Sequence, residues 1–258
     1  MTHYTLLVMG DDWENQLAPY DEDLRAIPYK DHLGKEEEQR MRDYYLKDEA
    51  PEIMLVTEMD IRNYLINKME SWRGNEGGFD KDGLFSWCTY NPNSKWDWYQ
   101  MGGRWAGFFL LKPEAAGEGQ LGEDGVFGYR EGVVDNDRRV DQARKGDIDW
   151  KGMEAEQLET AKRNWEEGNK LEVGDIASRF FQYGIEKDET EESYMARRKG
   201  LSTHAILHFG QWIERGEMGW FATIVGEEIN EDDWQAQWTA LLASLPNDTL
   251  LTLVDCHI

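Results

Sequence analysis

The chain has 258 residues, of which 52 are acidic and 28 basic, giving a formal charge of -24. That balance argues against general DNA or RNA binding, which needs Lys and Arg to neutralise phosphates, and against adsorption to anionic membranes. No apolar run approaches the roughly eighteen residues of a membrane-spanning helix. The N-terminal stretch has no basic leader, and Cys88 and Cys256 are the only cysteines, so the sequence reads as cytoplasmic with free thiols.

Residues His3–Met9 alternate as a first strand, with Tyr4, Leu6 and Val8 on one face and His3, Thr5, Leu7 and Met9 on the other. Trp13 to Glu49 is acidic and broken by Pro19 and Pro28, a long excursion with a short helix at Lys35–Leu46. Glu52–Val56 reads as a strand or the run-in to a helix. Thr57 with Asp60 forms a capping box, and Ile61, Tyr64, Leu65, Met69 and Trp72 recur at helical spacing, which predicts a helix over Glu58–Trp72 ended by Gly74. Leu84–Tyr90 is strand-like.

Asn91-Pro92-Asn93 is a turn. Trp96 to Gln100 then reads as a strand, with Trp96, Trp98 and Gln100 on one face and Asp97 and Tyr99 on the other. Gly102-Gly103 permits a tight reversal and Arg104–Leu111 is apolar enough to return, which predicts a β-hairpin with an aromatic face. Pro113–Lys145 is rich in glycine and acid and reads as irregular. Helices follow at Glu154–Lys170, with Leu158, Ala161 and Trp165 inward, and at Glu189–Arg198, with an apolar patch at Ile176–Tyr183 between them.

Thr203–Phe209 alternates as a strand, and Gly219–Val225 is its expected partner. Asn230 caps a helix over Glu231–Leu245 with Trp234, Trp238, Leu241 and Leu245 on one face, and Thr249–Ile258 is the last strand. This order predicts an α+β fold, a two-layer sandwich with helices on one face of an antiparallel sheet. Residues 1–111 and 201–258 would form the core domain, and 112–200 a charged, partly helical insertion.

The stretch NPNSKWDWYQMGGRW (Asn91–Trp105) resembles a signature in a group of bacteriophage and bacterial proteins. ERGEMGWF (Glu214–Phe221) and SLPNDTLLTLVDCHI (Ser244–Ile258) resemble that group too. The resemblance covers the hairpin region and the C-terminal part of the chain. It implies a phage or mobile-element source and supplies no catalytic residue.

Two readings fit Trp96, Asp97, Trp98, Tyr99, Arg104 and Trp105. They form a core corner with Asp97 and Arg104 as a local ion pair or turn anchors, or a pocket wall where the rings stack on a flat ligand and Arg104 grips a phosphate or carboxylate. The histidines also divide. His204 and His208 lie four apart in a strand, Asp255 and His257 share a face of the last strand, and His3 opens the first. If those strand ends meet, they offer ligands to a divalent metal; otherwise each histidine satisfies a nearby carbonyl at a sheet edge.

Asp135-Asn136-Asp137 resembles the start of an EF-hand loop but lacks the glycine and terminal glutamate. There is no nucleophile elbow, phosphate loop or paired-cysteine motif, and no cofactor is called for. The sequence points first to an acidic, non-catalytic binding protein that inhibits a host protein by occupying its nucleic-acid or nucleotide site. The alternative is a protein that binds or hydrolyses a small nucleotide in a Trp/Arg pocket around residues 96–105.

Overall fold

A computed structural model describes residues 2–45, 57–171, 176–218 and 223–258. Contacts divide the chain into two compact units, residues 1–21 with 95–258, and residues 22–94. β1 (His3–Met9) and α1 (Trp13–Leu17) open the first.

The second unit holds β2 (Tyr29–His32), α2 (Lys35–Tyr44), α3 (Glu58–Arg73), β3 (Gly77–Asp80) and β4 (Gly83–Cys88), its strands ordered β2-β4-β3. Thr57 and Asp60 cap α3 reciprocally, and Gly74, at φ 72°, ends it. Leu65 and Met69 of α3 pack on Leu33 and Leu84, giving this unit its own core. The acidic excursion therefore carries β2 and α2, and the Leu84–Tyr90 stretch supplies β4 to this small sheet. Glu52–Val56 lies outside the described residues.

The first unit resumes with β5 (Trp98–Gly103), β6 (Phe109–Leu110), β7 (Glu123–Asp124), β8 (Arg139–Val140) and β9 (Gln142–Arg144). Then come α4 (Trp150–Gly168), α5 (Ile176–Tyr183), α6 (Glu191–Arg198), β10 (Ala205–His208), β11 (Gln211–Glu214), β12 (Glu217–Met218), β13 (Ile224–Val225), α7 (Glu231–Ser244) and β14 (Leu250–His257). The main sheet runs β11-β10-β1-β14-β5-β7, with β9 also on β14. β14 is central because both its faces are apolar. Leu251 and Leu253 join Leu7, Met9, Trp234 and Trp238 in one core, while Val254 and Cys256 join Tyr4, Leu6, Leu17 and Trp96 in another.

The class is α+β, as expected. The sheet, however, is mixed rather than antiparallel, because β1 pairs with β10 and β5 with β7 in parallel. The contacts also do not divide the chain at 112–200. Ala115, Val140, Ala143, Ile148 and Met153 from that stretch are buried in the larger core, and Ala161, Ile185 and Tyr194 form a satellite cluster. The patch at Ile176–Tyr183 is the helix α5.

The expected hairpin does not form. β5 pairs with β14 and β7, and β6 pairs with β8. Gly102 and Gly103 both have positive φ, 78° and 54°, and lead into two successive turns closed by Trp105 N–H to Gly102 O and Ala106 N–H to Gly103 O. β10 takes β11 as its hairpin partner, and Ile224–Val225 pairs with β12 instead. Among the described residues no helix is long and apolar enough to cross a membrane.

Candidate functional site: two aspartate-oriented histidines

The register of the central strands brings distant residues together. Antiparallel pairing sets His3 of β1 opposite His257 of β14 and Thr5 opposite Asp255. β5 sets Trp98 opposite His257 and Gln100 opposite Asp255. By alternation, His3, Asp255 and His257 share the face of Leu7, Leu251 and Leu253, past the last apolar side chain on that face.

Each imidazole is held by its own carboxylate. His3 Nδ1 lies 2.8 Å from Asp255 Oδ1, and His257 Nδ1 lies 2.5 Å from Asp97 Oδ1. An ionised carboxylate only accepts, so Nδ1 carries the proton and the neutral ring presents its lone pair at Nε2. The rings meet edge to face with centroids 4.9 Å apart. Asp255 is 1% exposed and also accepts the Arg104 backbone N–H at 2.9 Å. His257 Nε2 is buried and has no hydrogen-bond partner among the described residues. Trp98, 45% exposed, stands edge-on to His3 with centroids 6.0 Å apart.

The Gly-Gly pair explains how the carboxylates fit. A Cβ on Gly103 would fall 2.5 Å from Asp255 Oδ2, and one on Gly102 would fall 2.6 Å from Asp141 Oδ2. Asp141 is fully buried and accepts N–H groups from Gly107, Phe108 and Gly122. Burial nevertheless pushes its carboxyl above the ordinary range.

The expected ligand-binding residues do not form one wall. Trp96 is buried, donates Nε1–H to Leu17 O at 3.2 Å and packs edge-on against Tyr99, so it lies in the core away from Trp98. Its position ahead of β5 removes it from the strand's alternation. Asp97 pairs with His257 rather than Arg104. Arg104 is exposed, makes no ion pair among the described residues, and lines a cavity of about 270 Å³ with residues 125–130. Trp105 lines another, of about 220 Å³, with Phe108, Arg130 and Arg139.

The four metal candidates do not assemble either. His204 Nε2 bonds Gly216 O at 3.0 Å and its ring meets Tyr4, while His208 packs on Phe209. Burial lowers the His204 pKa. Among the described residues the donors that cluster within 4.8 Å of one another are His32, Asp80 and Asp82. There Asp80 is already held by Lys30 at 2.6 Å and His32 at 2.9 Å, an ion-paired turn. At the EF-hand-like stretch, Asn136 Oδ1 accepts the Arg138 N–H within an ordinary turn. Cys88 and Cys256 are free and buried, and burial raises the Cys256 pKa, away from thiolate reactivity.

A larger cavity of about 500 Å³ lies among α4, α6 and α7. It contains no histidine, and its Trp150 and Trp238 spend their indole N–H groups on Lys145 O and Thr203 Oγ1. The chemistry therefore concentrates at His3, Asp97, Asp255 and His257, where an imidazole fixed through Nδ1 is the arrangement of a general acid or base. Sequence reasoning anticipated that His3, Asp255 and His257 could meet, but missed Asp97 as the partner of His257 and missed Arg130 and Arg139. No protein-family profile, curated protein or solved structure matches the chain.

Proposed function

We propose that this end of the sheet binds a small nucleotide-class ligand and moves a proton on it. The observation behind this reading is the paired arrangement His3–Asp255 and His257–Asp97, with a buried Nε2 on His257 that has no hydrogen-bond partner among the described residues. Buried polar atoms are normally hydrogen-bonded, so an orphan of this kind suits a group that meets its partner in a complex. Exposed Trp98 offers a face for a flat ring, and the guanidinium of Arg104, which makes no ion pair among the described residues, offers charge for a phosphate. Thermal unfolding against a nucleotide panel tests this. A ligand at one hundred times its dissociation constant adds about 2.7 kcal/mol of stability. The shift should vanish in Arg104→Ala, and an absence of shift across the panel would contradict the reading.

A second reading keeps the charge at the centre: an acidic, non-catalytic protein occupying the basic site of a host protein in its cytoplasm. Val126 and Phe127, 83% and 90% exposed, support it, since they closely follow the exposed acids Glu123 and Asp124 of β7. Acids would speed encounter and the apolar tip would add affinity. Here Phe127→Ser should abolish salt-sensitive capture of a basic nucleic-acid enzyme while Arg104→Ala leaves it intact. The reverse pattern would favour the ligand site.

A further inference from the structure

The net charge of -24 makes a local concentration of arginines unexpected, yet two cavities in the first unit share one. Arg130 lines both, with Arg104 in the first and Arg139 in the second. Arg104 has no ion-pair partner among the described residues. Arg130 donates to the carbonyls of Ala106 at 3.1 Å and Gly107 at 3.5 Å and meets no carboxylate in an ion pair among the described residues. Arg139 donates to the same Gly107 carbonyl at 3.4 Å and pairs with Glu156. Two guanidiniums thus converge on a single acceptor.

Like charges held this close repel, and here Glu156 pairs with Arg139 while Asp141 and Glu156 both act on Arg130 from a distance. Burial and the Arg139 charge lower the Arg130 pKa, which is the same unfavourable crowding seen from the protonation side. The backbone that sets the arrangement is fixed, because Asp141 ties Gly107, Phe108 and Gly122 together with three hydrogen bonds. Each guanidinium has five donors, so groups remain for a ligand after the carbonyls are served.

We infer that Arg104, Arg130 and Arg139 form a binding cleft for a multiply charged anion of the polyphosphate class, walled by Trp105, Phe108 and Tyr129. Cavities of about 270 and 220 Å³ are each small for a drug-sized ligand, and Arg130 lines both. This deepens the ligand reading above and rests on it for the nucleoside part only. The charged chain is bound by the arginines whatever it carries.

Calorimetric titration of the full chain with inorganic tripolyphosphate at low salt is the test. Wild-type protein should bind, with affinity falling as salt rises. Arg104→Ala should weaken binding at least tenfold at unchanged melting temperature, and Arg130→Gln, which also gives up the bonds to the Ala106 and Gly107 carbonyls, should weaken it at least tenfold while remaining folded by circular dichroism. Glu156→Gln, which releases Arg139, should tighten it, and Lys199→Ala, at a residue that lines the larger cavity among α4, α6 and α7 and not the cleft, should change nothing. No wild-type binding, or wild-type affinity retained in both arginine variants, would overturn the cleft. If tripolyphosphate binds and ATP binds no tighter, the cleft stands and the nucleotide reading falls. If nucleotides bind equally well to wild type and Arg130→Gln, the cleft falls and the nucleotide reading stands.

Discussion

Asp141 and Asp255 pack against neighbouring glycines at the end of β5, one on Gly102 and the other on Gly103. Asp141 accepts three backbone N–H groups and no side-chain donor among the described residues, whereas Asp255 accepts one backbone N–H and one imidazole. The first carboxylate ties loops together. The second passes its orientation to a ring whose far nitrogen it does not use. The difference separates a structural acid from a positioning one, although both are almost fully buried.

The sharpest way to break this contrast is to remove each acid. Asp141→Ala leaves three N–H groups without their acceptor, and each such loss costs about 1–3 kcal/mol, so destabilisation of about 3 kcal/mol or more is expected by denaturant unfolding. Asp255→Asn keeps an acceptor for Arg104 N–H and should cost about 1 kcal/mol. Equal costs would erase the distinction. Next in size, Gly103→Ala places a Cβ against Asp255 in a backbone at φ 54°, and should lose about 2–3 kcal/mol while disturbing His3.

Asp97→Asn should leave stability within about 1 kcal/mol of wild type. It offers His257 an amide in place of a carboxylate, and so allows the other tautomer. Any proton-transfer rate on the bound ligand should fall on the order of a hundredfold with ligand affinity retained, measured by turnover and calorimetry together. The smallest effect concerns a histidine that is merely buried. Burial depresses the His204 pKa, so its contribution to stability is complete above about 6.5 and is lost as pH falls through its lowered folded value. Unfolding midpoints measured downward from pH 7 should decline, and His204→Gln should flatten that decline.

Local signals in the sequence were reliable because their causes are local. Thr57 with Asp60 and Asn230 with Asp233 form the expected caps, and the alternation of β1 and β14 assigns their faces correctly. The Gly-Gly pair misled because its cause is remote. It looked like a hairpin reversal before an apolar run, but its glycines make room for acids from β14 and from the turn before β9. Asp97 and Arg104, close in sequence, suggested an ion pair, while the true partner of Asp97 is contributed by the last strand. Strand register, which no single stretch encodes, built most of the site.

Nitrogen-15 spectroscopy of the histidine side chains tests the central claim most directly. The account predicts that His3 and His257, when neutral, carry the proton on Nδ1 and leave Nε2 as the acceptor, with each assignment lost on Asp255→Asn and Asp97→Asn respectively. Protonation of either ring on Nε2 in the wild-type protein would contradict it, because no oriented lone pair would then face a ligand.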